Sequence, residues 1–448
     1  MSELDPAQLE AFRADVRTWL STVAKPRTEE VRVWGEGDPE LQIFIAKSEE
    51  DERAHLDRVR EYRKARFDAG FGALTLPEEF GGRGLPSVYA VAFADEEREF
   101  DVPPSSELIS VTTGLVGAAV SVFGTPVQRD EYARAFLRTD ELCCQLFSEP
   151  GAGSDLASLS ATAELDGEEW VVNGQKVWNT SAHHADFGIL VARTDWDATK
   201  HRGLTYFALP MHQPGVEVRP LRQMNRHSSF NEVFLADARI PAEFVIGAPG
   251  DGWNVALTTL AFERRMGTLG RPQYSAAPGR ALDEARHEAD EYYRTYAWYP
   301  QRAGRVDLVP ERAAATGRNT DPLVRQQIAR LVELQRTAQW TASRARAAQA
   351  LGRPPGAEGS LAKLALSGIA RQAHLVHTLL AGAAGMLTGA DSPLGGVIAE
   401  ILVSTPAQSI AGGTDEIQHN IIGEKVLGLP REPSVDNDLP FRSLSRNR

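Results

Sequence analysis

The stretch CQLFSEPGAGSD, residues 144–155, combines small residues with hydroxyls and carboxylates. It differs from a phosphate-binding loop because Pro150 has no backbone N–H and the third glycine of a dinucleotide fingerprint is absent. Its two glycines allow another surface to approach the backbone closely, and Ser148 and Ser154 offer hydroxyls on either side. These groups suit an uncharged ligand with many hydrogen-bonding atoms, such as a flavin ring or a pantetheine arm. Taken alone, the stretch is more typical of a surface loop that leads into the β domain.

A second group of residues that could bind a ligand lies in NGQKVWNTSA, which has the pattern of a strand end. Trp178 and Thr180 are two residues apart, so they share one face of a strand. An indole beside hydroxyls can form a wall for a planar heteroaromatic ring. The alternative for Trp178 is an ordinary position in the hydrophobic core.

Three stretches with different hydrophobic periods must position these residues. Residues 1 to about 140 have helical spacing, and the helical period returns after Gly252. Between them the period is two, and the turn dipeptides Asp166-Gly167 and Asn173-Gly174 indicate β-hairpins. Part of 270–320, rich in Arg, Pro and Gly, is interpreted as an irregular insertion. The sequence predicts an α+β fold with an N-terminal α bundle (1–143), a middle antiparallel β barrel or sandwich (144–250) and a C-terminal α bundle (251–448).

Composition narrows the possible functions. A chain of 448 residues is expected to form two or three domains. The net charge of −13 argues against a nucleic-acid partner, and no apolar run has membrane-spanning length. The acidic N-terminus lacks a secretory signal pattern, so we expect a cytoplasmic protein. Cys143 and Cys144 are interpreted as small buried residues; the histidines, including His183 and His184, show no metal-ligand pattern, so no metal is predicted.

At these residues the chain resembles the acyl-CoA dehydrogenase family of flavoproteins. Four stretches carry the resemblance, which covers essentially the whole chain: CQLFSEPGAGSDLASL, GEEWVVNGQKVWNTSAHHADFGILVARTD, FNEVFLADARIPAEFVIGAPGDGW with the ERR that follows, and GGTDEIQHNIIGEKVLGLPRE. The resemblance implies FAD as cofactor, with contacts from Phe147, Ser148, Trp178, Thr180, Thr414 and Glu416. In family members the tryptophan covers one flavin face and the threonine bonds the ring edge. Ser154 matches the serine on the CoA side.

The position of the catalytic base departs from the commonest family pattern. Many members carry the glutamate that removes the substrate α-proton directly before the GT of the C-terminal motif, where this chain has Gly412. A smaller group, resembling isovaleryl- and long-chain-type enzymes, has it on the helix after the β domain. There this chain reads TTLAFERRM, so the resemblance implies Glu263 as the base and Arg264 as a substrate contact. The backbone N–H of Gly412 is implied as a donor to the enolate oxygen. The alternative for Glu263 is an ion pair with a neighbouring arginine.

A second departure concerns partners. Family members commonly have an Arg-x-x-Phe-Gly stretch that reaches FAD phosphates of a neighbouring subunit, and this chain lacks it; Arg318 is the candidate substitute. Such chains resemble a bacterial subgroup that includes α2β2 dehydrogenases of bulky steroid or branched acyl-CoA thioesters. We expect an acyl-CoA substrate, an electron-transfer flavoprotein as acceptor, and a homodimer, homotetramer or α2β2 heterotetramer. A non-catalytic subunit, an acyl-CoA oxidase and an acyl-carrier-protein dehydrogenase remain alternatives.

Overall fold

The structure is a computed structural model that describes residues 5–26, 48–103, 106–224, 228–269, 303–350, 356–387, 392–431, 433 and 438–444. Most of the predicted insertion, residues 270–302, lies outside the described residues. No helix in the described ranges is both long enough and apolar enough to cross a membrane.

The N-terminal part of the chain is helical, as its apolar spacing predicts. Asp5 caps the first helix by accepting a hydrogen bond from the Ala7 N–H at 2.9 Å. The helices here are α1 (Pro6–Val23), α2 (Glu49–Asp68), α3 (Ser87–Glu97), α4 (Glu107–Ser110), α5 (Gly117–Phe123), α6 (Pro126–Gln128) and α7 (Arg134–Arg138). π-Helical stretches join α4 to α5 and α6 to α7. A short ribbon, β1 (Lys25–Pro26) with β2 (Phe100–Asp101), completes this part.

A seven-stranded sheet forms the middle of the molecule. Its strands are β3 (Cys143–Leu146), β4 (Thr162–Asp166), β5 (Glu169–Thr180), β6 (Phe187–Arg193), β7 (Leu204–Pro210), β8 (Val216–Leu221) and β9 (Phe230–Pro241). The order is β3-β6-β4-β5-β9-β8, with β7 also paired to β6. Most pairs are antiparallel, including the predicted β4–β5 hairpin at Asp166-Gly167. The predicted turn at Asn173-Gly174 is wrong, because both residues lie within β5, where the register with β9 shifts. β3 pairs with β6 in parallel, and β4 pairs with β6 in parallel at Thr162 and Arg193. The sheet is therefore mixed rather than wholly antiparallel.

Helices return after the sheet, and the predicted α, β, α order is confirmed. They are α8 (Gly252–Leu269), α9 (Val309–Ala315), α10 (Pro322–Ala350), α11 (Glu358–Ala381), α12 (Val397–Ser404) and α13 (Asp415–Lys425). Helices α9, α10 and α11 share a hydrophobic core that includes Val309, Leu331 and Val376. The two cysteines are free thiols and both are buried, as expected.

A buried ion pair joins the loop that begins with SEP (residues 148–154, the SEP loop) to the sheet. Lys176 is fully buried in β5, and its ammonium donates to Glu149 Oε1 at 2.8 Å, the Phe147 carbonyl at 3.1 Å and the Val191 carbonyl at 2.8 Å. The Glu149 carboxylate also accepts the backbone N–H groups of Ser160 (2.7 Å) and Ala161 (2.9 Å). Burial by itself would raise the pKa of Glu149, but the charge and hydrogen bond of Lys176, with these N–H groups, hold it below its ordinary value. All three lysine donors and both carboxylate oxygens are therefore used.

Replacing this lysine tests the pair. We expect Lys176→Met to lower the free energy of unfolding by about 3–5 kcal/mol, because the Glu149 carboxylate then stays buried without a cation. Urea unfolding followed by circular dichroism measures the change. Adding Glu149→Gln to Lys176→Met should recover part of the loss, because it removes the unpaired buried charge while the amide oxygen still accepts one of the two N–H groups. The control is Lys200→Met: its partner Asp155 is 62% exposed, so the cost should stay below about 1 kcal/mol. Equal losses in the two lysine variants would contradict this account.

A second charged cluster fixes the start of α13 against α11. Asp415 is buried and pairs with Lys363 at 3.3 Å and with Arg371. Burial alone would raise the pKa of Asp415, but hydrogen bonds from Ser367, Arg371 and Lys363 outweigh it and lower the pKa to about 2. The folded state therefore favours the ionised carboxylate, and the cluster holds the C-terminal motif in place.

The stability that Asp415 contributes should depend on pH. Because its folded pKa lies below the ordinary value of 3.8, the contribution is complete above that value and is lost as the pH falls towards 2. At pH 7 we expect Asp415→Asn to lower the free energy of unfolding by about 1.5–3 kcal/mol. The difference from wild type should shrink between about pH 4 and pH 2 in denaturant titrations. Asp57→Asn, at an exposed position of α2, is the control and should stay within about 0.5 kcal/mol throughout. A pH-independent difference for Asp415→Asn would refute the assignment.

Candidate active site

Helix α8 is docked closely on the sheet. A Cβ on Gly252, at its first residue, would lie 2.5 Å from the backbone carbonyl carbon of Thr205, so only glycine allows this approach. One turn before Glu263, the buried hydroxyls of Thr259 and Tyr206 are 3.2 Å apart and hydrogen-bonded. Residues four apart lie on the same helix face. The sheet therefore sets the position of Glu263.

Glu263 meets the C-terminal motif at Gly412. A Cβ built on Gly412 would lie 3.6 Å from Oε1 of Glu263. The carboxylate thus stands beside the place where a side chain at 412 would begin, although the two residues are far apart in sequence. Glu263 is half-buried. Arg264 follows it on α8, and its side chain lies outside the described residues.

The turn that carries Gly412 is held by a residue that the sequence analysis did not identify. Gly412 and Gly413 have φ of +67° and +89°, in the left-handed region that favours glycine. The side-chain amide of Gln418 donates to their carbonyls at 3.1 Å and 3.3 Å. Its Oε1 is buried and has no hydrogen-bond partner within the described part of the chain. The only sequence signal was its place four residues after Thr414 in GGTDEIQ.

The SEP loop forms a tight turn. Glu149 and Ala152 exchange two backbone hydrogen bonds, at 3.1 Å and 3.0 Å. A Cβ on Gly151 or Gly153 would have no atom within 4 Å, so the space beside both glycines is open. Ser148 is half-buried and its carbonyl accepts from the Val177 N–H at 2.9 Å, which places the loop next to the end of β5.

The two ends of this loop are differently placed. Phe147, just before it, is buried, and its carbonyl accepts from Lys176. Ser154, near the other end, is exposed. The neighbouring Asp155 is engaged with Lys200 and Ser158.

Trp178 occupies an unusual position in β5. The register with β9 shifts between Val177 and Asn179, and Trp178 in this bulge has φ of +64°. It is 61% exposed and meets Phe230 edge-to-face at 6.0 Å, so it is not a core tryptophan. Asn179 is buried and Thr180 is half-buried. Such a backbone costs of order 1–3 kcal/mol, which is typical of functional sites.

The remaining predicted residues lie further along the chain. Thr414 caps α13, accepting the Ile417 N–H at 3.3 Å, and Glu416 is exposed on the first turn. Arg318 lies on the short turn Arg318–Thr320 and donates to the Leu379 carbonyl at 2.9 Å, near the end of α11. That contact ties Arg318 to a helix end rather than to the SEP loop or Gly412.

The fold also creates a cluster that the sequence did not reveal. His183 and His184 were expected to have no metal-ligand pattern. Glu52 of α2 lies within 3.1 Å of both rings, and the three side chains could together hold a metal ion. Sequence spacing does not reveal this cluster, because Glu52 is 131 residues from His183.

Comparison with known proteins gives a consistent result. Three family models match: the acyl-CoA dehydrogenase N-terminal domain at 6–140, the middle domain at 144–238 and the C-terminal domain at 306–427. The chain is 37% identical over 430 residues to acyl-CoA dehydrogenase IpdE1 of Mycobacterium tuberculosis, covering 95% of this chain and 98% of that protein. It is 38% identical over 312 residues to acyl-CoA dehydrogenase FadE34 of the same organism, covering 69% of this chain and 38% of that one.

A solved structure shares the fold. The Tcur3481-Tcur3483 steroid ACAD aligns with a TM-score of 0.67 at 24% identity, covering 96% of this chain and all of that chain. The three domain matches and the near full-length similarity to IpdE1 agree with the helix, sheet, helix order described above. The chain belongs to the acyl-CoA dehydrogenase family, whose members are FAD-binding flavoprotein oxidoreductases.

Proposed function

We propose that the chain desaturates an acyl-CoA thioester between its α- and β-carbons, with Glu263 as the general base. The observation that supports this most directly is the 3.6 Å between Oε1 of Glu263 and a Cβ at Gly412. The two places where family members carry the base therefore converge on one point, and of these two places only the one on α8 holds a carboxylate residue in this chain. An ordinary ion pair would not require this convergence.

The residues around this point are compatible with a flavin. Trp178 presents an exposed indole, and no hydrogen bond within the described residues engages the hydroxyls of Ser148 or Thr180. The open space at Gly151 and the unpaired acceptor of Gln418 leave room and a bonding site for a ligand. FAD, when bound, accepts the hydride from the substrate β-carbon. In this proposal Trp178 and Thr180 contact the ring system with Ser148 and the Phe147 backbone, while Thr414, Glu416 and Arg318 serve the rest of FAD.

The protein's own part in the reaction is to move one proton and stabilise one charge. The α-proton of a thioester is very weakly acidic, so the enolate oxygen needs a fixed donor as well as a base. We assign the Gly412 N–H as that donor, on a turn that Gln418 holds in place. One preorganised donor of this kind is worth about 3 kcal/mol. Ser154 and Arg264 are proposed to contact the CoA thioester.

The proposed substrate and partners follow from the two departures from the common family pattern, namely Gly412 in place of a glutamate and the missing Arg-x-x-Phe-Gly stretch. With glycine at 412, no side chain fills the space beside Glu263, which favours a branched or ring-bearing acyl group. The names of similar proteins, a steroid ACAD among them, agree with this choice. We propose an electron-transfer flavoprotein as oxidant, a cytoplasmic location, and functional units at 1–143, 144–250 and 251–448.

A role as one subunit of a heteromer is the second candidate. It is favoured by the missing Arg-x-x-Phe-Gly stretch, where residues 313–317 read AAATG. In that arrangement a partner chain completes the FAD phosphate site, and Glu263 still acts as base. Flavin binding and turnover by the isolated chain would exclude it.

Removing the carboxylate tests the assignment of the base. We expect Glu263→Gln to slow flavin reduction by acyl-CoA about 10²–10⁴-fold, because the amide cannot take the proton. FAD should stay bound. Anaerobic stopped-flow absorbance measures the rate, and the FAD content of the purified protein measures binding. Glu243→Gln, at an exposed position after β9, is the control and should reduce at the wild-type rate. Unchanged reduction in Glu263→Gln would overturn the assignment.

Removing the exposed indole tests the flavin contact. Because Trp178 is 61% exposed and its ring contact is with Phe230, Trp178→Ala should lower the free energy of unfolding of the apoprotein by no more than about 1.5 kcal/mol. The Kd for FAD, measured by fluorescence titration, should rise about tenfold through lost aromatic contact. Trp340→Ala is a matched control, since that indole is 68% exposed on α10. If both variants bind FAD like wild type, Trp178 does not cover the flavin.

A further inference from the structure

Two histidine side chains from one part of the fold converge on a carboxylate oxygen from another. Glu52 lies in the first turn of α2, while His183 and His184 form a short 3-10 turn after β5. Nε2 of each histidine is 3.1 Å from Oε2 of Glu52, and the ring centroids are 4.0 Å apart. The ligand atoms all lie within 4.8 Å of one another.

The hydrogen bonds around His183 determine which ring nitrogen carries a proton. The Asn231 amide donates through Nδ2 to the Asn179 carbonyl at 2.9 Å, so its Oδ1 is the atom facing His183. Nδ1 of His183 lies 3.1 Å from that oxygen and must donate to it. In a neutral ring the lone pair is then on Nε2, the atom that faces Glu52. A lone pair facing a carboxylate oxygen requires a positive charge between them, either a second proton or a metal ion.

The two nitrogen–oxygen separations in the cluster are close to those of metal ligands. Zinc–nitrogen and zinc–oxygen distances of about 2.0–2.2 Å in a tetrahedral site place ligand nitrogen and oxygen about 3.3 Å apart. Both observed nitrogen–oxygen separations are 3.1 Å. Two imidazoles and one carboxylate are a common donor set for zinc, and a hydrogen bond to the far ring nitrogen is the usual support for a metal-binding histidine. Asn231 supplies that support.

We propose that Glu52, His183 and His184 bind a divalent transition-metal ion of the zinc type. The ion would tie α2 to the turn that follows β5. The His184 side chain is 4% exposed and that of Glu52 is 33% exposed, so the site opens to solvent on one side and leaves a coordination position for water. Only two residues separate His183 from Thr180, and Ser181 between them donates to the Ser229 carbonyl at 2.7 Å. The ion therefore stabilises the end of the strand that carries Trp178.

The experiment uses the full-length, FAD-loaded protein, treated with a chelator and then titrated with Zn²⁺ by calorimetry. We expect one Zn²⁺ per chain, a raised melting temperature, and the intense visible absorption of tetrahedral Co²⁺ when Co²⁺ replaces zinc. Glu52→Gln and the double variant His183→Gln/His184→Gln should lose this binding. Asn231→Ala keeps all three ligands and should weaken affinity about 10–100-fold.

The control is His212→Gln, which removes a histidine that is 72% exposed beside Asp186 and should leave the stoichiometry at one. FAD content and circular dichroism report whether each variant folds; the wild-type comparison with and without Zn²⁺ needs no variant. If wild type binds no more Zn²⁺ than the double variant, the proposal is overturned. A second result would also overturn the proposal: Zn²⁺ leaves the melting temperature of wild type unchanged, and Glu52→Gln in chelator melts at a lower temperature than wild type in chelator. That result would identify a proton-bridged contact between Glu52 and the histidines instead.

Discussion

The buried Lys176–Glu149 pair is the interaction on which the site depends. Lys176 has no exposed surface. Its ammonium donates to the Phe147 carbonyl just before the SEP loop, to the Val191 carbonyl within β6 and to the Glu149 carboxylate. The carboxylate in turn binds two N–H groups just before β4. A buried charge must be fully paired, so these segments have little freedom to move apart. The SEP glutamate is therefore structural, while the serine before it remains available to a ligand.

Around this ion pair the fold brings together segments that are distant in sequence. Gly252 lets α8 approach β7, and the Tyr206–Thr259 hydrogen bond sets its position one turn before the proposed base. The left-handed turn at Gly412 arrives from the other end of the chain and is held by Gln418. Trp178 is turned outwards by a bulge with a positive φ. Strained or close-packed backbone at all three places is consistent with a site shaped for a ligand rather than for stability alone.

Local signals predicted most elements of the fold, but Asn173-Gly174, which has the pattern of a turn, lies inside β5 at a register shift with β9. The cap at Asp5, the hairpin at Asp166-Gly167 and the return of the helical period after Gly252 all appear in the structure. These features depend on neighbours in sequence. Pairing across the sheet does not, which explains why the parallel pairing of β3 with β6 was not predicted.

The sequence predicted only those candidate-site residues that lie in recognisable motifs. The resemblance supplied Glu263 and Gly412, but only the fold shows that they are neighbours. Gln418 was missed because an amide within a helix pattern has no distinctive signal. The cluster of Glu52 with His183 and His184 was missed because Glu52 is 131 and 132 residues from the two histidines. Contacts of that kind are set by tertiary packing, which periodicity does not report.

The most direct measurement is the visible absorption spectrum of this chain, expressed and purified alone, before and after anaerobic addition of branched and ring-bearing acyl-CoA thioesters. We expect a flavin band that bleaches on addition of a thioester, because the proposed base Glu263, the Gly412 N–H and the proposed flavin contact Trp178 all belong to this chain. A bound flavin that no thioester bleaches would contradict the assignment of Glu263 as a working base.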